Sequence, residues 1–232
     1  MSKFTSLKWG IFGLIFCFVI ISEGRNIWFF VSGEARKFKT PYIEQAEHYK
    51  NHKTRLESRD HSSSQDAIFL GDSILFSVGE DYFYECCKLD ILNSSIPSET
   101  SLSLLQRIQE TQVSSSAMLY VHIGTNDIGR NIKLETVINQ IETIFSLLEH
   151  KDITIISVIP SNNFQRNNNK IKNLNAKMLA LANNLGYRYL DVWPALSFKN
   201  KLRDEYSLDG LHLNDEGRLV MQEIIANDIT TR

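Results

Sequence analysis

Three residues of this sequence are of the types that together activate a serine for attack on a carbonyl carbon. Ser73 follows Gly71 and Asp72 at the end of a short apolar run, and Asp209 and His212 stand three residues apart near the C-terminus. In a turn, that spacing lets the carboxylate reach the imidazole Nδ1–H and leaves Nε2 free to take a serine proton. Because an unactivated serine is a poor nucleophile at neutral pH, this arrangement predicts Ser73 as a nucleophile and His212 as its base.

Acyl transfer also needs hydrogen-bond donors for the oxyanion that forms on the carbonyl, and two segments offer them. Gly124 permits close approach of the backbone, and Asn126 offers a neutral carboxamide donor. The segment 93–100, NSSIPSET, is a turn whose backbone N–H groups can point toward the same crevice. Each such donor is commonly worth about 3 to 4 kcal/mol to the transition state. We expect the neighbouring Asp127 to be structural, as a helix cap.

Each of these residues, taken alone, also has a purely structural interpretation. Ser73 is typical of a helix N-cap after a glycine turn, and Asn126 is typical of a turn. The loop that carries Asp209 and His212 could simply lead into a last helix capped by Asn214 or Asp215. Their combination favours catalysis, since four predicted strand ends each carry a group that acyl transfer requires.

The elements that must position these groups alternate regularly from residue 67 onward. Short, β-rich apolar runs predict five strands, and longer amphipathic stretches predict the helices between and after them. The strands are expected at 67–71, 90–94, 118–124, 153–160 and 187–192, and the helices at 74–87, 99–112, 133–150, 168–185 and 215–228. This alternation predicts an α/β fold with a central five-stranded parallel sheet and helices on both faces. Ligands of such sheets bind outside the carboxyl ends of the strands.

In four blocks the sequence resembles the SGNH/GDSL hydrolase superfamily, the GDSL-like lipases and acylhydrolases. The blocks extend from Ala67 to the last helix, and three of them read IFLGDSI, VHIGTNDI and DGLHLNDEG. The resemblance implies a flavodoxin-like three-layer α/β/α sandwich and a catalytic triad of Ser73, Asp209 and His212. It also implies Asn126 and the backbone N–H of Ser73 as oxyanion donors, and it implies no metal or organic cofactor.

The remaining block departs from the family pattern. Where the family typically has a glycine that donates a backbone N–H, the stretch NSSIPSET has Ser98. The N–H survives this change, but a positive φ is unfavourable for any residue other than glycine. The preceding Pro97 can stiffen the turn in compensation. We therefore expect Ser98 to be the third oxyanion donor.

The N-terminal segment, residues 1–32, indicates export. Lys3 and Lys8 precede the 14-residue apolar run Trp9–Ser22, which Glu23 interrupts. This length is typical of a signal peptide, and we favour an uncleaved signal anchor over a cleaved peptide. In either case the positive flank stays in the cytoplasm. The remainder is then membrane-anchored on the non-cytoplasmic side, or secreted or periplasmic after cleavage.

Residues 33–66 form a polar spacer, expected to be partly helical, before the catalytic domain at 67–232. His48 and His52 would share one helix face within this spacer. With no third histidine or carboxylate evident nearby, a solvated face is favoured over a metal pair. No CxxC, HExxH or zinc-finger spacing occurs, so no metal site is predicted.

Composition excludes several other classes of function. A net charge of -2 and a pI of about 6.3 leave no basic surplus for nucleic acid. Three cysteines, two of them adjacent, do not make a disulfide framework. Within the predicted domain, His122 is interpreted as a core histidine and Trp193 as core packing, with a role for Trp193 in the substrate pocket as the alternative.

These observations predict an exported serine esterase that acts through an acyl-enzyme, such as a carbohydrate O-acetylesterase or a lysophospholipase. The expected partner is a small-molecule, polysaccharide or lipid ester, and the membrane is contacted through the N-terminal segment. Two alternatives stay open. One is an acyltransferase that moves the acyl group to a sugar hydroxyl. The other is a catalytically silent, membrane-tethered module that binds glycans. Nothing in the sequence indicates the oligomeric state.

Overall fold

The computed structural model describes residues 65–108, 117–148 and 152–232, together with the backbone of three strands nearer the N-terminus. The chain divides into two compact units, Met1–Glu47 and His48–Arg232. The first unit contains an antiparallel sheet in the order β1-β2-β3. Its strands are β1 (Ile20–Ser22), β2 (Asn26–Val31) and β3 (Glu34–Phe38).

These three strands and residues 65–66 are the described part of the predicted anchor and spacer. Strands β1 and β2 fall within residues 1–32, and β3 falls within 33–66. Residues 1–19 and 39–64, which include His48 and His52, lie outside the described residues. Across the described parts of the chain, no helix is both long and apolar enough to cross a membrane.

The second unit is built on a five-stranded parallel sheet in the order β5-β4-β6-β7-β8. Its strands are β4 (Ala67–Gly71), β5 (Ile91–Asn93), β6 (Met118–His122), β7 (Ile153–Ile156) and β8 (Arg188–Leu190). All five lie within the runs that the sequence predicts as strands. Because the strands are parallel, their carboxyl ends share one edge of the sheet.

The longer helices follow the predicted positions, with one division, whereas the short helices Thr125–Gly129 and Trp193–Leu196 lie outside the predicted ones. The predicted helix 74–87 is two helices, because Gly79 adopts a φ of 71° and ends the first one. The helices are α1 (Ser73–Val78), α2 (Asp81–Cys87), α3 (Ser101–Ile108), α4 (Thr125–Gly129), α5 (Leu134–Leu148), α6 (Asn168–Leu185), α7 (Trp193–Leu196) and α8 (Asp215–Thr230). At the end of α2, Cys86 and Cys87 form a disulfide between neighbours, which closes no long loop.

The core lies in two layers, one on each face of the sheet. Side chains of β4 alternate between them: Ile68 and Leu70 pack on one face, and Ala67 and Phe69 on the other. Helices α3, α5 and α6 cover the first face. Helices α1, α2 and α8 cover the second. This arrangement confirms the predicted α/β/α sandwich.

Between β8 and α8 the chain makes short elements that the sequence does not predict. Helix α7 is followed by a small hairpin of β9 (Ser197–Phe198) and β10 (Lys201–Leu202), and then by a 3-10 turn at Asp204–Tyr206. The loop after this turn runs along the carboxyl edge of the sheet before α8 begins. It carries Asp209 and His212.

Candidate active site

Ser73 stands where β4 turns into α1. The side chain of Asp72 caps this helix, because its Oδ1 accepts a hydrogen bond from the N–H of Ile74 at 3.0 Å. Gly71 is required here, since a Cβ at this position would lie 2.3 Å from the carbonyl oxygen of His122 on β6. As the first residue of α1, Ser73 has a backbone N–H with no partner inside the helix. The turn therefore presents both its hydroxyl and its N–H at the sheet edge.

The structure brings Ser73, His212 and Asp209 into one hydrogen-bonded series. Ser73 Oγ lies 3.2 Å from His212 Nε2, and His212 Nδ1 lies 2.8 Å from Asp209 Oδ2. The other carboxylate oxygen of Asp209 accepts from the backbone N–H groups of Leu211 and His212, at 3.0 and 2.7 Å. Partial burial raises the pKa of Asp209, but these hydrogen bonds and the His212 side chain outweigh it and lower the pKa below its usual value. The carboxylate is therefore held in its ionised form.

The loop that carries Asp209 and His212 is tightly tied. Gly210 adopts a φ of 82°, and its N–H donates to Ser207 Oγ at 2.7 Å. Its carbonyl oxygen accepts from the N–H of Asn162 at 2.7 Å and from Ser161 Oγ at 3.0 Å. These two residues follow β7, so the loop is fastened to the neighbouring strand end. These contacts fix the backbone of Gly210, two residues before His212, and so restrict the position of the loop that carries the imidazole.

Ser98 lies in the turn after β5, beside the β4–α1 turn that carries Ser73. The N–H of Ser94 donates to the carbonyl of Phe69, and the N–H of Ile96 donates to the carbonyl of Gly71, each at 2.8 Å. These bonds continue the pairing of β5 with β4 beyond the end of β5. The turn therefore lies next to the residues that precede Ser73. Ser98 has a φ of 65°, the left-handed conformation that favours glycine. The serine thus occupies a glycine-type backbone conformation.

A buried ion pair between Glu99 and Arg107 stabilises the turn that contains Ser98. Glu99 and Arg107 are almost fully buried, and the guanidinium donates to both carboxylate oxygens, at 2.9 and 2.8 Å. A third donation from Arg107 reaches Ser94 Oγ at 3.0 Å. Two-point contact of this kind restricts geometry as well as adding attraction. The turn from Ser94 to Glu99 is therefore braced by one arginine of α3.

Asn126 lies in the first turn of α4, beside the Ser98 turn. Its Nδ2 donates to the backbone carbonyl of Glu99 at 2.9 Å, which leaves one amide hydrogen for another acceptor. Gly124 precedes it with a φ of 124°, and a Cβ there would lie 2.6 Å from the Leu174 side chain. The supporting role expected for Gly124 thus has a steric basis. Asn126, Ser98 and Ser73 all belong to turns at the carboxyl edge of the sheet.

The neighbouring Asp127 is structural, as expected. Its fully buried carboxylate accepts from the backbone N–H of Ser101 at 3.1 and 3.2 Å and from Ser101 Oγ at 2.7 Å. Burial raises the pKa of Asp127, and the Ser101 hydrogen bonds act against that rise. The helix that Asp127 caps is α3, the helix behind the Ser98 turn.

The two other side chains singled out in the sequence lie in or against the core. His122 is completely buried, with Nδ1 3.3 Å from Oδ1 of Asp72, the residue before Ser73. Trp193 is partly buried against the first core layer, with Lys172 Nζ 5.5 Å from the centre of its ring. In the described parts of the chain, no group of three or more His, Cys, Asp or Glu side chains could hold a metal ion.

Two arginines beside the predicted oxyanion donors, Ser98 and Asn126, were not predicted. Arg166, in the turn before α6, donates from Nη2 to Asn126 Oδ1 at 3.3 Å. Arg130, just after α4, donates from Nη2 to the Ser98 carbonyl at 3.2 Å. Partial burial lowers the pKa of Arg166, while the charges of Asp72 and Asp209 oppose this. The sequence feature that could have indicated them is their position. Arg130 follows the third predicted strand, and Arg166 follows the fourth.

An α/β/α sandwich with a serine, a histidine and an aspartate in contact at the carboxyl edge of its sheet is typical of serine esterases. The profile of the GDSL-like Lipase/Acylhydrolase family matches residues 69–219. The chain belongs to this family, and it is therefore an ester-hydrolysing enzyme of the GDSL type.

Solved structures share the fold at low sequence identity. A Streptococcus pneumoniae protein provisionally named a platelet activating factor is 23% identical, with a TM-score of 0.73 over 81% of this chain and 94% of its own. A GDSL-like lipase from Bacteroides thetaiotaomicron is 22% identical, with a TM-score of 0.68 over 79% and 97%. An acetylxylan esterase from Geobacillus stearothermophilus is 14% identical, with a TM-score of 0.61 over 72% and 94%. Among curated proteins, no match was found.

Proposed function

We propose that this enzyme hydrolyses carboxylic esters through an acyl-enzyme on Ser73, with His212 as general base and acid and Asp209 as its orienting carboxylate. The observation that carries the proposal is the continuous series of contacts from Asp209 through His212 to Ser73. The carboxylate holds Nδ1 protonated, so Nε2 faces the hydroxyl with its lone pair.

In the first half of the proposed reaction, Ser73 Oγ attacks the ester carbonyl carbon as His212 Nε2 takes the hydroxyl proton. The oxyanion receives hydrogen bonds from the backbone N–H groups of Ser73 and Ser98 and from the remaining Nδ2 hydrogen of Asn126. Collapse breaks the bond to the alcohol, which leaves with the proton from His212. Water then attacks the acyl carbon as His212 Nε2 takes its proton, and the bond to Ser73 Oγ breaks. The acid is released, and Ser73 recovers its proton from His212.

An O-acetylated carbohydrate is the substrate that we propose first. The fold similarity to an enzyme named as an acetylxylan esterase supports this choice. A second candidate, an ester with a longer acyl chain as in a lysophospholipid, is favoured by two exposed apolar side chains. Phe164 is 92% exposed and Leu208 is 72% exposed, and both lie on the loops that meet at Gly210.

A rate profile over acyl length separates these substrates. The full chain would be assayed with p-nitrophenyl acetate, butyrate, octanoate and decanoate, and with acetylated xylan and a lysophosphatidylcholine. Preference for acetyl esters and release of acetate from xylan would support the first substrate, and preference for the longer chains would support the second. Binding to xylan without hydrolysis of any ester would instead favour the silent module. Acetylated sugar formed from an added acceptor would identify acyl transfer, which uses the same acyl-enzyme.

We also propose that the catalytic unit lies on the non-cytoplasmic side of the membrane. The apolar run Trp9–Ser22, with Lys3 and Lys8 before it, supports this location. A reporter that is active only outside the cytoplasm, fused after Arg232, tests the proposal. Loss of the reporter signal when the apolar run is deleted is expected, whereas an unchanged signal would contradict export through this segment.

A further inference from the structure

The carboxamide of Asn126 lies between one group that can only accept a hydrogen bond and one that can only donate. The backbone carbonyl of Glu99 receives Nδ2, and the guanidinium of Arg166 donates to Oδ1. Reversing the amide would place Nδ2 against the guanidinium and Oδ1 against the carbonyl, so both contacts would become repulsive. The two neighbours thus leave Asn126 one orientation.

Arg166 reaches Asn126 from a well-fixed turn. Its backbone N–H donates to the carbonyl of Asn163 at 3.0 Å, and Asn167 caps α6 immediately afterwards. The guanidinium lies over Gly129, where a Cβ would stand 3.1 Å from Cζ. Gly129 thus leaves room for the guanidinium at this place.

We propose that Arg166 is a positioning residue for ester hydrolysis, which fixes the carboxamide of Asn126 and strengthens its free Nδ2–H as an oxyanion donor. The inference rests on the proposed function. A positive group at Oδ1 draws electron density from the amide, so the Nδ2 hydrogens become better donors. The effect grows as negative charge develops on the substrate oxygen. Arg166 therefore acts on the transition state more than on the bound ester.

The alternative is that Arg166 binds a negatively charged part of the substrate directly. Its half-buried position and its contact with Asn126 favour the positioning role, because a substrate anion would have to compete with Oδ1 for Nη2. The two roles differ in kinetics. Positioning lowers kcat for a neutral ester, whereas anion binding raises KM for anionic esters alone.

The test compares Arg166→Met and Arg166→Lys in the full chain with p-nitrophenyl acetate, a neutral ester. Arg166→Met should lower kcat about tenfold with KM changed less than about twofold, and Arg166→Lys should recover part of the loss. Arg218→Met, a surface substitution on α8 where Arg218 pairs with Asp215, should leave kcat within about twofold.

A double-mutant cycle with Asn126→Ala makes the test specific to the proposed contact. In the Asn126→Ala background, Arg166→Met should have almost no further effect on kcat, because the group on which it acts is absent. An equal loss in both backgrounds would overturn the proposal. So would an unchanged kcat for the neutral ester with a raised KM for p-nitrophenyl hydrogen succinate.

Two further variants separate the role of Arg166 from misfolding of Arg166→Met and from failure of the proposed function. If Arg166→Met does not fold, Arg166→Gln, which keeps an amide donor, enters the same cycle, and coupling to Asn126 is again expected. If Ser73→Ala retains wild-type activity, the proposed function itself fails, whatever the Arg166 variants show.

Discussion

Ser73 Oγ and His212 Nε2 lie 3.2 Å apart although the two residues are 139 positions apart in the chain. The contact arises because β4 ends beside the loop before α8, at the edge where all five parallel strands end. Asp209 Oδ2 extends the series from the other side of the ring. The proposed chemistry depends on the hydrogen bonds among these three side chains, and each side chain can be tested separately.

Asp209→Asn should lower kcat by about 10²- to 10⁴-fold with little loss of stability. An amide cannot hold Nδ1 protonated as a carboxylate does, so the imidazole loses the tautomer that accepts the serine proton. Steady-state kinetics and thermal unfolding measure the two effects. The matched control is Asp215→Asn in the first turn of α8, which should leave kcat unchanged. A large loss in both variants would contradict the role of Asp209.

The pH dependence of stability should reflect the hydrogen bonds to the Asp209 carboxylate. They lower its pKa in the folded enzyme, so the carboxylate stabilises the fold above its unfolded pKa. That contribution is lost as the pH falls through the lower, folded value. The wild type should therefore lose more stability on acidification below about pH 5 than Asp209→Asn, which has no carboxylate at this position. Denaturant unfolding at a series of pH values measures both proteins, and equal losses would contradict the lowered pKa.

Ser98→Gly should stabilise the enzyme by about 0.5 to 1 kcal/mol and raise the melting temperature by a few degrees. Ser98 has a φ of 65°, which glycine adopts without a Cβ clash, and part of the gain is offset by the freedom of glycine in the unfolded chain. Ester hydrolysis should persist, since the backbone N–H is kept. Ser98→Ala keeps a Cβ at this positive φ, so its melting temperature should equal that of the wild type. A lower melting temperature for Ser98→Gly would contradict the expectation that the positive φ of Ser98 destabilises the enzyme.

Arg107→Met should destabilise the enzyme by about 3 to 5 kcal/mol, because it leaves Glu99 buried without its partner. The double variant Arg107→Met with Glu99→Gln should recover part of this loss. Denaturant unfolding measures the free energies. Lys177→Met removes one side of an exposed pair with Glu135 and should change stability by less than about 1 kcal/mol. Similar values for the buried and the exposed pair would contradict the bracing role of Arg107.

Much of the sheet could be predicted because strands buried on both faces appear in the sequence as continuous apolar runs. The residues at which the strands end were predicted less accurately than the strands themselves. The whole run 153–160 is buried, yet β7 ends at Ile156. Apolar residues record burial, whereas a strand is defined by pairing, and here the chain remains in the core after pairing stops.

The elements around the site were harder to predict where they are short or depend on long side chains. The hairpin of β9 and β10 turns through Lys199 and Asn200, both at positive φ, without the glycine that usually marks such a turn. Arg166 lies in a polar loop, and only the fold shows that its guanidinium ends at Asn126. Ser73 and Asn126 directly follow predicted strands, so the order of the elements alone places both of them at the carboxyl edge of the sheet.

Covalent labelling of the nucleophile tests the central claim most directly. The full chain would be treated with a fluorophosphonate, which forms a stable adduct with an activated serine, and the modified peptide identified by mass spectrometry. We expect one adduct per chain on Ser73, abolished in Ser73→Ala and strongly slowed in His212→Ala. A label on another serine, or ester hydrolysis that persists in Ser73→Ala, would contradict the assignment of Ser73 as the nucleophile.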